Sequence, residues 1–203
     1  MVTRHPVHAQ MTMQDPRIEV LFSSDAIAER IDALARGIRQ SGHQSILVVP
    51  ILKGSFVFAA DLMRAMHRAG LAPEVDFLSL ASYGEAERSS GTVRIVRDIE
   101  SDVRGRDVLI VDDILESGRT LAFAKSLLEQ RGAAQVKTCV LLDKQVPRAV
   151  SITADFAAFE CPAEFVVGYG MDLAHRYREL PFVGRLVRAE GPTGGHDGTN
   201  PSG

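Results

Sequence analysis

The residues best suited to chemistry lie in one short stretch, residues 108–121, with the sequence VLIVDDILESGRTL. An apolar run leads into two adjacent acids, Asp112 and Asp113, and then into a turn of Glu116, Ser117, Gly118, Arg119 and Thr120 ahead of a helical pattern. Backbone N–H groups of a glycine-containing turn at a helix N-terminus can hold a phosphate, and the Ser117 and Thr120 hydroxyls add donors. The two acids must serve another purpose. Carboxylates repel phosphate, but they accept hydrogen bonds from sugar hydroxyls and help to hold Mg2+, so acids beside a phosphate turn predict a phosphorylated sugar as ligand. An Asp-Asp pair alone reads equally well as a turn or a helix cap, and the whole stretch carries the functional reading. The glycine-lysine pattern of a Walker loop is missing.

Such a turn needs a strand to deliver it and a helix to follow it. Residues 108–111 supply the strand, and residues 121–130, closed by Gly132, supply the helix, with a further strand over 136–142. Upstream, Ser24 is placed to cap a helix in which Ile27, Ile31, Leu34 and Ile38 share one face, with Gly42 ending it. Ile46–Leu52 is almost unbroken in apolar residues and predicts a parallel strand covered on both faces, with Pro50 bending its end. Phe56–Arg68 reads as a second helix stopped by Gly70, and residues 75–80 as the next strand. Residues 81–94 lack any period and lead to a strand over 93–96, which predicts a functional flap or an extended hairpin. Alternating strands and helices imply α/β architecture with right-handed crossovers, and ligands in such sheets bind beyond the carboxyl ends of the strands.

Composition narrows the function classes. Of 203 residues, 45% are hydrophobic and 24% charged, which excludes disordered, collagen-like, coiled-coil and acidic-tail proteins. With 23 Lys and Arg against 26 Asp and Glu, the net charge of −3 offers no bulk attraction to nucleic acid or to an anionic membrane. No apolar run is long enough to span a bilayer, and residues 1–17 lack a signal-peptide pattern, so a cytoplasmic protein is expected. Cys139 and Cys161 lack metal-ligand spacing and read as reduced thiols, and the His residues read as surface or tail positions. Residues 1–17 are polar and aperiodic, and the tail 190–203 holds five Gly and two Pro. Both are expected to be disordered, which leaves residues 18–189 as one domain.

Residues 111–120 resemble the phosphoribosyl-diphosphate (PRPP) motif of the type I phosphoribosyltransferases. Leu52-Lys53-Gly54-Ser55, Ser82-Tyr83-Gly84 with residues 89–92, Lys144, residues 165–169, Asp172 and Arg178 are in turn similar to the hypoxanthine(-guanine) branch of that family. The resemblance runs in order over residues 20 to 187. It implies an α/β type I phosphoribosyltransferase fold: a central, mainly parallel sheet flanked by helices, with a small hood and a mobile flap loop. The implied reaction joins a purine nitrogen to C1 of PRPP and releases pyrophosphate, giving IMP or GMP, in a homodimer or homotetramer that uses Mg2+.

Roles follow position by position. Asp112 and Asp113 contact the ribose hydroxyls directly or through Mg2+, and Glu116, Ser117, Gly118, Arg119 and Thr120 cradle the 5′-phosphate. Lys53 and Gly54 contact pyrophosphate, in a loop that carries a non-proline cis peptide in the family. Lys144 donates to the purine 6-oxo group, Phe165 stacks on the base, and the Val166 backbone holds its edge. Asp172 holds a second Mg2+, Arg178 neutralises the leaving group, and Ser82 and Tyr83 ride on the flap. Two positions depart from the family pattern. Glu116 stands where an Asp usually handles the N7 proton, and Ser55 stands where a second Gly is common. A xanthine- or guanine-preferring transferase is the nearest rival. A PRPP-sensing nucleic-acid-binding regulator is the other class, and it would need a cationic stripe that the sequence lacks.

Overall fold

In the computed structural model the described residues are 17–42, 45–82 and 93–187. Three helices and ten strands follow in order: β1 (Arg17–Phe22), α1 (Ser24–Gln40), β2 (Ile46–Leu52), α2 (Phe56–Arg68), β3 (Glu74–Val75), β4 (Leu78–Ser82), β5 (Val93–Arg97), β6 (Asp107–Leu115), α3 (Arg119–Gln130), β7 (Gln135–Lys144), β8 (Phe156–Cys161), β9 (Val166–Val167) and β10 (Val183–Val187).

The central sheet runs β5-β4-β2-β6-β7-β8, with β3 pairing β2 off this path. All its pairings are parallel except that of β4 with β5. Side chains of the middle strands alternate between two cores. Ile46, Val48, Leu109, Val111, Cys139 and Leu141 face one, together with Ile27, Ile31, Phe58 and Leu62 of α1 and α2. Leu47, Val49, Val108, Ile110, Val136 and Val140 face the other, with Leu121, Ala124 and Leu128 of α3. Each large aliphatic side chain so removed from water contributes about 2 kcal/mol, which is why these strands read as continuous apolar runs. A second antiparallel sheet, β1-β10-β9, forms the hood. Phe22 of β1 stacks on Phe159 of β8 at 4.2 Å between ring centroids and ties the hood to the main sheet.

Several boundaries differ from the sequence expectations. Ser23, not Ser24, caps α1, its hydroxyl accepting from Ala26 N. Pro50 does not bend β2. On one side it stays paired with Val111 of β6. On the other, β2 changes partner from β3 at Val48 to β4 at Ile51, so the missing N–H falls in the changeover. The strand expected over 75–80 is broken in two at Asp76, whose carboxylate accepts from the backbone N–H groups of Phe77, Glu100 and Ser101. β6 runs past both acids to Leu115, so Asp112 and Asp113 lie within a strand and not at its end. Arg17, assigned to a disordered tail, pairs with Val187, and β1, β8, β9 and β10 were not foreseen. Ser82 pairs with Val93, so the described ends of the long connection form an antiparallel hairpin. Its residues 83–92 and the expected tails 1–16 and 188–203 lie outside the described residues.

Candidate active site

The chain leaves β2 toward α2 on one face and β6 toward α3 on the other, although β2 and β6 are neighbours. A crevice must open between those two exits, at the carboxyl ends of the strands. A cavity of about 660 Å3 lies there. Lys53 and Gly54 line it after β2, Asp113 and Ile114 within the last residues of β6, Glu116 just after that strand, and Lys144 at the end of β7. Phe165, Val166, Asp172 and Arg178 close it from the hood side. A smaller cavity of about 180 Å3, lined by Asp112, Ser117, Gly118 and Thr120, shares Ile114 and Glu116 with the first.

The small cavity sits at the start of α3. Gly118 occupies the cap position with φ +79 and offers no side-chain acceptor to the first turn, so the donors of that turn beyond Arg119 N face no capping side chain of Gly118 and suit an anionic ligand. The Ser117 hydroxyl accepts from Arg119 N at 3.4 Å, and the Ser117 carbonyl is held by Val150 N at 3.1 Å. Asp112 is buried, and its Oδ1 accepts from Asp113 N at 3.0 Å. Burial raises both carboxyls above the ordinary range, and the adjacent Asp113 charge raises Asp112 further.

Across the crevice the packing is close. A Cβ added to Gly54 would lie 1.7 Å from Asp113 Oδ2, so only glycine lets the β2 exit meet the β6 acids. The Leu52–Lys53 peptide is cis. The next residue, Ser55, has ordinary helical angles (φ −76, ψ −5), and its buried hydroxyl donates to Ile51 O at 2.6 Å. Serine therefore fits this loop without strain at the position where a second glycine is common.

On the far wall, Lys144 is buried with only 8% of its side chain exposed, and its Nζ lies 3.3 Å from Glu116 Oε2. The result is a donor and an acceptor side by side at the cavity wall. Phe165 is exposed, Val166 is buried beside it, and β10 holds both: Leu186 N donates to Phe165 O, and Val166 pairs with Arg185. Asp172 and Arg178 form an ion pair at 2.6 Å, so a ligand must share or part the two groups assigned separately to metal and leaving group. The other Asp172 oxygen accepts from His175 N at 2.8 Å.

A model described as the phosphoribosyl transferase domain matches residues 18–173. The chain belongs to the phosphoribosyltransferase family. It is 42% identical, over 84% of its length and 96% of the relative's, to the hypoxanthine phosphoribosyltransferase of Salmonella typhimurium. It is 41% identical to the hypoxanthine-guanine phosphoribosyltransferase of Dictyostelium discoideum, over 83% of this chain and 94% of that one. Among solved structures, a hypoxanthine-guanine phosphoribosyltransferase from Bacillus anthracis superposes with a TM-score of 0.78 at 38% identity, covering 85% of this chain and all of that one.

In this phosphoribosyltransferase the expected residues converge on the two joined cavities, apart from Arg119 and the flap. Arg119 is exposed at the first position of α3. Ser82 ends β4 directly after Ser79, Leu80 and Ala81, which line the larger cavity, and Tyr83 lies outside the described residues. The sequence reading missed Ile114, Met171 and His175, all of which line the larger cavity. His175 was set aside as a surface residue, and it is indeed exposed; its place three residues after Asp172 was the available signal. The donor set suits Mg2+, which takes oxygen ligands and is commonly held by one or two carboxylates plus substrate phosphates. Asp112 and Asp113 offer such oxygens on one wall and Asp172 on the other, and no three metal-ligating side chains cluster into a closed cage among the described residues.

Proposed function

We propose that the protein transfers the 5-phosphoribosyl group from PRPP to hypoxanthine, and also to guanine, producing IMP or GMP and pyrophosphate in purine salvage. The Lys144–Glu116 pair carries this reading. A 6-oxopurine presents an acceptor, O6, next to N7, which bears a proton in the reacting tautomer. A lysine donor 3.3 Å from a carboxylate acceptor matches that edge. Adenine would leave the buried Lys144 facing an amino group, and a site built to donate rejects a ligand that leaves its donor unpaired.

In the reaction, purine N9 forms the bond to C1 of PRPP as the bond from C1 to pyrophosphate oxygen breaks and the electron pair leaves with pyrophosphate. Glu116 takes the N7 proton. Phe165 stacks on the base and the Val166 backbone fixes its edge. The turn over Glu116, Ser117, Gly118, Arg119 and Thr120 holds the 5′-phosphate, while Asp112 and Asp113 accept from the ribose hydroxyls. Lys53, Gly54 and Arg178 meet the pyrophosphate. Mg2+ held by Asp112, Asp113 and Asp172 would shield the pyrophosphate charge.

The test is purified protein with PRPP, Mg2+ and each purine separately, following nucleotide formation. IMP from hypoxanthine and none from adenine is expected. Comparable turnover of adenine would sink the assignment, and faster turnover of xanthine would move it to the rival transferase. Full activity in excess EDTA would remove Mg2+ from it. We further assign the enzyme to the cytoplasm, as a homodimer or homotetramer, which light scattering would check. Among the described residues no helix is long and apolar enough to cross a membrane.

A further inference from the structure

The pyrophosphate side of the site is built from two segments that are distant in sequence. Lys53 and Gly54 precede α2, whereas Asp172 and Arg178 lie in the loop between β9 and β10. That loop folds back on itself: Gly170 N donates to Arg178 O at 3.0 Å, Arg178 Nη1 donates to Gly170 O at 2.5 Å, and Tyr169 N donates to Leu180 O at 2.9 Å. It also presses on the first segment, since a Cβ on Gly170 would fall 2.3 Å from Gly54 O.

Tyr169 stands at the root of this loop with φ +49, a left-handed conformation uncommon for a bulky aromatic residue. Its side chain is buried, and its hydroxyl donates to Asp61 Oδ2 at 2.6 Å. Asp61 belongs to α2, the helix that begins just after Lys53 and Gly54, and its other oxygen accepts from Arg64 at 2.7 Å. Burial, and then the hydrogen bond to Asp61, push the phenol well above its usual range, so it stays a donor at all working pH values. Neither Tyr169 nor Asp61 lines the catalytic cavity. Both face a separate cavity of about 610 Å3 behind it, and Arg178 borders the two.

We propose that Tyr169 and Asp61 are positioning residues for pyrophosphate: the bond between them fixes the distance from Lys53 and Gly54 to Asp172 and Arg178, and neither residue touches substrate. The hydroxyl adds no donor to the site, so its value lies in holding one segment against the other. Misplacement of binding groups by about 1 Å can cost about 100-fold in rate, and this bond is placed to prevent that. The inference rests on the PRPP reaction proposed above, because it assigns these two segments to the leaving group.

The experiment compares the parent with Tyr169→Phe and Asp61→Ala. Binding of pyrophosphate with Mg2+ and binding of IMP are measured by calorimetry, alongside KM for PRPP and for hypoxanthine. Both variants should weaken pyrophosphate binding and raise the PRPP KM by about tenfold or more, while IMP affinity and the hypoxanthine KM stay within about twofold. The double variant should cost little more than the worse single one, since both remove the same bond. Arg64→Ala, on the outer oxygen of the same carboxylate, should leave all four quantities near the parent's. Unchanged pyrophosphate affinity in Tyr169→Phe would overturn the inference, and so would an equal loss of pyrophosphate and IMP binding, which would mark a general structural role. A parent that binds pyrophosphate and IMP but makes no IMP would instead count against the functional reading, and the two binding measurements would still judge the positioning role.

Discussion

The two halves of the site are made in different ways. The half we propose for the ribose phosphate is one continuous piece of chain, residues 112–120, delivered by β6 and closed by the start of α3. The half we propose for pyrophosphate and purine is assembled from the β2–α2 loop, the end of β7 and the loop between β9 and β10. Backbone geometry within a few residues suffices for the first. The second depends on the order of strands in the sheet and on the hood, so its residues have no fixed spacing. A local half should tolerate changes elsewhere, whereas an assembled half should respond to any change in how its segments pack.

Glu116 tests whether that division holds, because it belongs to the continuous half yet touches Lys144 of the other. Glu116→Gln should lower kcat by about 10² to 10⁴, the usual worth of general-base help, while PRPP affinity changes little because the turn's N–H groups survive. Glu116→Asp should keep substantial activity. A Glu116→Gln enzyme as active as the parent across pH would reduce the residue to shaping the turn.

Gly54→Ala probes the seam between the halves. Its Cβ would meet the Asp113 carboxylate at 1.7 Å, so one segment must move. A loss of about 100-fold in kcat/KM is expected, with the purine affinity largely kept. Normal kinetics with PRPP would mean that the two exits are not held as closely as this packing requires.

Lys144→Gln acts within the assembled half. Gln keeps a donor but drops the charge that pairs with Glu116, so hypoxanthine should lose about tenfold in kcat/KM, and discrimination against adenine should fall with it. Combined with Glu116→Gln, the effects should fall short of additivity, since the two groups are in contact. Strict additivity would show the halves to be independent after all.

The smallest expected effect concerns the hairpin root, outside both halves. The Arg131 side chain clamps Asp98 with hydrogen bonds of 2.7 and 2.6 Å and, with the Ile99 N–H, holds its carboxyl below the usual value of 3.8. A carboxyl lowered by folding stabilises the protein above its unfolded pKa, and that contribution is lost as pH falls through the lower, folded value. Asp98→Asn should therefore lower Tm at pH 7 and flatten the acid limb of the Tm-against-pH curve, both only slightly because the pair is only part-buried and solvent still screens it. An unchanged acid limb would show that the clamp adds nothing to stability.

Much of this was legible in the chain itself. α2 and β2 were placed to the residue, because an apolar stripe or an unbroken apolar run is a local property of burial. The turn between β6 and α3 was also legible, since an apolar run, two acids and a glycine ahead of a helical pattern form one continuous signal. The division of the strand at Asp76 was not, because its cause is a set of N–H donors 24 and 25 residues away. The hood was missed for a similar reason: β9 is two residues long, and β1 and β10 lie at opposite ends of the domain.

The sequence by itself determined which side chains were available, and that a strand, a turn and a helix would follow one another around residues 112–120, because that order depends on neighbours a few residues apart; it did not set the strand's end at Leu115. Only the tertiary structure decided that Gly54 lies against Asp113, that Lys144 faces Glu116, that Asp172 is already paired with Arg178, and that Tyr169 reaches Asp61. Those meetings follow from the strand order and from two cores packed on opposite faces of one sheet. They are set by the summed contacts of the whole domain, which no local pattern records.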